Sequence, residues 1–78
     1  MPWLDVFWTD ENERHLLAHK VSREEAEYVI HNPIGYDVSE SSERPIGFGY
    51  TAAGRKIAVV YEMIDKITVY PITAYDVE

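Results

Sequence analysis

Cysteine is absent from this 78-residue chain, and basic side chains are scarce: seven Lys and Arg stand against fourteen Asp and Glu, for a formal net charge of −7. Without cysteine there is no disulfide and no thiolate metal site, and the usage fits a reducing cytosol. No apolar run approaches the roughly 20 residues that span a bilayer. The start, Met1-Pro2-Trp3-Leu4-Asp5, lacks the basic opening and apolar core of a signal peptide. These absences predict a cytoplasmic protein that does not enter a membrane. A glycine-rich phosphate loop is missing too, because Gly47 and Gly49 lie in a strand-like run that precedes no helix. A side-chain nucleophile would have to be Ser, Thr or Tyr, and no serine has a recognisable setting.

What is present suffices for one small domain. At this length folding buries only about 60% of the surface of the unfolded chain, so stability is modest. The charge is uneven. Residues 1–43 hold ten acids against three bases, and residues 44–78 hold four of each. The acidic half therefore faces water or a basic partner, and its field opposes non-specific nucleic-acid binding.

Residues 3–8 are aromatic and β-branched, which predicts a short first strand. Thr9 reads as the N-cap of a helix from about residue 10 to 18, with Asp10, Glu11 and Glu13 loaded onto its first turn. Ser22 and Glu25 form a capping box for a second helix, flanked by the staple pair Val21 and Ala26. Ala26, Val29 and Ile30 make its core stripe, Glu24 and Glu27 point outward, and Asn32-Pro33 ends it. Residues 34–38 allow a strand and residues 39–43 a polar turn. In residues 44–50 the bare positions Gly47 and Gly49 bend the strand or admit another backbone. The run over residues 55–63 is apolar on both faces, Ala58 and Val60 on one and Ile57, Val59 and Tyr61 on the other, which suits a central strand. Pro71 makes the last run either an edge or a bulged strand. The order β-α-α-β-β-β-β predicts an α+β fold, with two consecutive helices on one face of a mainly antiparallel sheet.

Three groups of residues bear on chemistry. Glu11, His15 and His19 recur every fourth residue along one helix face, a spacing that a metal ion can use, although it lacks the Glu of the metalloprotease helix motif. Arg44, Arg55 and Lys56 are cations at strand ends; a guanidinium can grip phosphate through two parallel hydrogen bonds, and such residues are also ordinary solvated charges. The tyrosines and tryptophans offer flat faces on which bases can stack or a thin core can pack.

Taken in order, Phe7-Trp8, His19-Lys20-Val21-Ser22 with Glu24-Glu25-Ala26, Asn32-Pro33, Glu43-Arg44, Gly54-Arg55 with Val59-Val60-Tyr61, and Ile72-Thr73-Ala74 resemble the BrnT family of bacterial toxins along nearly the whole chain. The resemblance implies a single domain over residues 1–78 with a RelE-type fold: a short N-terminal strand, two helices and a mainly antiparallel sheet of about four strands. It implies an endoribonuclease that uses neither metal nor cofactor and is neutralised by a cognate antitoxin protein. On that reading Arg55 and Arg44 hold the scissile phosphate of RNA, His19 or Glu43 carries the proton, and Trp8, Lys56 and Tyr75 contact the substrate. Four positions depart from the family pattern: Lys20 replaces a glycine and must accept positive φ, Leu17 and Ala18 replace basic residues, and Tyr75 replaces an arginine. The losses lower affinity for phosphate. They leave an alternative, a non-catalytic interaction module of the same fold that binds a basic partner through its acidic helical half. A homo-oligomer is a further expectation.

Overall fold

The computed structural model describes residues 4–40 and 43–77. Trp3, expected to open the first strand, and Ser41 and Ser42 of the expected polar turn lie outside the described residues. The elements run β1 (Asp5–Val6), α1 (Asp10–Ala18), α2 (Arg23–His31), β2 (Gly35–Val38), β3 (Pro45–Tyr50), β4 (Lys56–Met63) and β5 (Thr68–Asp76). They form the expected α+β fold, and no described helix is long and apolar enough to cross a membrane. The sheet order is β1-β5-β4-β3-β2, antiparallel throughout except for the parallel β1–β5 pair.

The first strand is shorter than its composition suggests. Phe7 N–H still donates to Val69 O at 2.9 Å, but the Phe7 carbonyl accepts from Asn12 Nδ2 at 2.9 Å, which draws the chain out of the sheet and into α1. Thr9 caps that helix, and Asn12, almost wholly buried, closes a reciprocal box by accepting from the Thr9 N–H at 2.7 Å. Ser22 and Glu25 form the second box as expected, at 3.0 and 3.2 Å.

β4 occupies the centre of the sheet. Its Ile57 and Val59 pack with Leu16 of α1, Ala26, Val29 and Ile30 of α2, and Val69 and Ala74 of β5 in one core. Ala58 and Val60 belong to the other face, which no helix covers. Gly49 is bare because the end of α2 crosses it: a Cβ there would lie 3.1 Å from the Asn32 carbonyl. Pro71 proves to be at a bulge, where the β4–β5 register shifts between Val60 and Tyr61 and relieves the ladder of the N–H that proline lacks.

α1 ends in a Schellman motif. Val21 N–H reaches back to Leu16 O at 3.0 Å and Lys20 N–H to Leu17 O at 2.8 Å, while Leu16 and Val21 are both fully buried. The motif requires its penultimate residue to be left-handed, and Lys20 has φ 61°. A side chain in that region costs about 1 kcal/mol relative to glycine. Lys20→Gly should therefore raise Tm, by about 4–8 °C per kcal/mol at this size. An unchanged or lower Tm in thermal unfolding followed by circular dichroism would show that the turn is unstrained.

Candidate functional site

Arg55 leaves the Thr51–Gly54 turn on the helix-side face and enters β4. Its own N–H donates to the Thr51 hydroxyl at 3.1 Å. Its guanidinium then reaches in three directions. Nε donates to Asp76 at the end of β5 at 2.5 Å, Nη1 to Lys20 O at 2.5 Å, and Nη2 to His19 O at 3.1 Å. Glu25 Oε1, already part of the α2 capping box, lies 3.6 Å from Nη1. The cation thus satisfies two carbonyls that the Schellman turn leaves free, at the negative end of the α1 dipole. Its hydrogen bond holds the Asp76 carboxyl below the ordinary carboxylate range, helped by the nearby charges of Arg55, His19 and Lys20. The same bond pushes the Arg55 pKa up, with Glu25 adding to it.

Arg44 is elsewhere. The β3–β4 register sets it across from Glu62, seven residues along β4 from Arg55, about 23 Å at the rise of a strand. Alternation also puts it on the opposite face. Its Nε is 3.7 Å from Glu62 Oε1, an ion pair without a hydrogen bond. Glu43 precedes it with φ 57° and its N–H on Ser39 O at 2.8 Å. The four residues nominated for catalysis therefore fall into two pairs, His19 with Arg55 and Glu43 with Arg44, at opposite ends of the β3–β4 hairpin.

Trp8 is held against α2. Its Nε1 donates to Glu27 at 2.6 Å, and the Arg23 guanidinium lies over its ring at 5.5 Å. That ring face is unavailable to a base. Lys56 and Tyr75 do come together, on the face without helices. They line a shallow depression of about 340 Å³ with Asp37, Ile46, Phe48 and Ala58, and Lys56 Nζ sits 5.7 Å from the Phe48 ring centre. Glu11, His15 and His19 are all exposed, and no three His, Asp or Glu side chains converge on a metal-sized point among the described residues.

Sequence reasoning did not find Asp76, Glu25 or the two carbonyls as partners of Arg55. The available signal was the non-glycine residue at position 20, since a strained turn with free carbonyls calls for a donor. No family model, curated protein or solved structure matches the chain.

Removing the guanidinium should cost stability as well as any activity. Arg55→Ala should lower stability by about 1 kcal/mol, the ordinary worth of the lost hydrogen bonds after water partly replaces them. Asp76→Asn should also lower Tm near neutral pH. A carboxylate with a depressed native pKa stabilises fully above its unfolded value of about 4 and loses that effect as pH falls through the native one. The Tm gap between Asp76→Asn and the parent should therefore close on acidification; a gap that persists would show that Asp76 acts through packing rather than charge.

Proposed function

We infer that this chain is a non-catalytic interaction module, built on a fold of the kind that BrnT-like toxins resemble, which engages a basic partner through its acidic helical half. The commitment of the Arg55 guanidinium to two carbonyls and two carboxylates of its own chain carries this reading. Three of its five N–H groups are used in this way and two carboxylates already offset its charge, which weakens its call on a phosphate. The separation of Arg44, the covered face of Trp8 and the tyrosine at position 75 support it further.

The helical layer supplies the surface. Asp10, Glu11 and Glu24 are exposed on the first turns of α1 and α2, and Glu13, Glu24 and Glu27 line a cleft between the helices with Arg23. Charge complementarity of this sort speeds encounter and selects partners, and it weakens as salt rises.

The rival reading is a toxin-like, metal-independent ribonuclease with a cognate antitoxin. Its favouring observation is the depression that brings Lys56, Phe48 and Tyr75 together, a cation beside stacking surfaces.

Two assays separate the readings. Mixed-sequence RNA incubated with the protein in EDTA should remain intact, whereas cleavage abolished by Lys56→Ala would establish the ribonuclease. Oligolysine should bind with an affinity that falls steeply between about 0.05 and 0.5 M salt. The triple reversal Asp10→Lys, Glu11→Lys, Glu24→Lys should reduce that binding at least tenfold; undiminished binding would show that the helices do not form the binding surface.

A further inference from the structure

β2 forms one border of the sheet, with β3 on one side and no strand on the other among the described residues. Edge strands are ordinarily blunted by lysine, proline or a charge turned toward the covered face. On the helix-side face of this border stand Tyr36 and Val38, which are 67% and 57% exposed, and Ile34, 58% exposed, immediately precedes the strand. Their placement follows from the register, which aligns Tyr36 with Gly47 and Gly47 with the buried Val59. The α2 helix lies over β3 and β4 and leaves this row uncovered. Tyr36 is held upright, because Gly47 leaves room for its ring beside that of Tyr61. Burial and the neighbouring Tyr36 both push the Tyr61 pKa up.

The backbone of the border is also partly open. Ser39 N–H donates to Arg44 O at 2.8 Å, and Val38 faces Pro45, which has no N–H to give. Antiparallel alternation then turns the amides of residues 35 and 37 toward β3 and those of Tyr36 and Val38 outward. The Val38 N–H is held by the Asp37 carboxylate at 2.8 Å, and Ile34 N–H is used on Phe48 O at 2.8 Å. The N–H and C=O of Tyr36 and the C=O of Val38 are the groups turned outward for a further strand.

We propose that β2 is a self-association edge, at which two copies pair antiparallel about a two-fold axis through Tyr36 to make one continuous ten-stranded sheet. A two-fold axis there is self-complementary. The Tyr36 backbones exchange two hydrogen bonds, the Tyr36 rings meet, and Val38 of each copy comes to the Ile34 end of the other strand, which is what an isologous contact requires. The three side chains leave on the order of 400 Å² exposed per copy, about half the roughly 800 Å² per partner of a standard interface. The dimer is accordingly weak and reversible. Asp37 and the net charge of −7 on each copy oppose it, so salt should tighten it, the reverse of the effect on a basic partner.

Sedimentation equilibrium from about 5 to 500 µM, at about 0.05 and 0.5 M NaCl, tests the proposal. The expected result is a mass that climbs from monomer toward dimer with concentration, at several-fold lower concentration in high salt. Val38→Lys and Ile34→Lys, two independent ways of placing a charge on the exposed row, should each weaken association about tenfold, with Tm unchanged. A monomer at every concentration in both salts would overturn the proposal. So would a dimer that salt loosens, or one indifferent to both lysine variants.

Discussion

One guanidinium joins four pieces of this fold. From the start of β4, Arg55 holds the last carbonyls of the α1 turn, the carboxylate that ends β5 and the capping residue of α2. The arrangement depends on backbone geometry set elsewhere. Lys20 is left-handed because the Schellman turn demands it, and that turn exists so that Val21 can join Leu16 in the core before α2 begins. The turn exposes carbonyls at the negative end of a helix, and a cation is the natural group to meet them. In a domain this small, where the core alone stabilises modestly, a contact tying both helices to β4 and β5 matters more than its individual strength suggests.

The same contact bears on function. A cation held by its own chain helps the fold and is withdrawn from ligands, so the chemistry open to the remaining surface is divided. The helix layer is acidic, the opposite sheet face carries Lys56 and Arg44 among aromatic and aliphatic residues, and the β2 border is largely apolar. Each surface favours a different kind of contact. Charge suits the helices, and backbone pairing suits the border.

Much of the architecture was legible because it rests on local rules. The Ser22–Glu25 box, the Thr9 cap, the two-faced apolar run of β4 and the stop at Asn32-Pro33 each follow from neighbouring residues. The positive φ at Lys20 followed from a residue standing where a glycine is expected. Pro71 left a choice between edge and bulge, and the register settled it as a bulge. The extent of β1 was not legible, since Asn12 ends it through a side-chain bond to Phe7 O that apolar alternation does not register. The partners of Arg55 were hidden for a similar reason: two are backbone carbonyls, which carry no residue identity, and Asp76 lies 21 positions away. The remoteness of Arg44 depended on hairpin register, which fixes both its end and its face.

The central claim is that the Arg55 guanidinium belongs to the fold rather than to a phosphate. The direct measurement is the ¹⁵N-resolved NMR signal of its Nε–H while an RNA oligonucleotide with 2′-O-methyl sugars is titrated in. The expected result is a slowly exchanging signal, protected by Asp76, that stays in place as RNA is added and moves when acid protonates that carboxylate. A signal that exchanges freely with water and shifts on addition of RNA would return Arg55 to the role of a phosphate ligand.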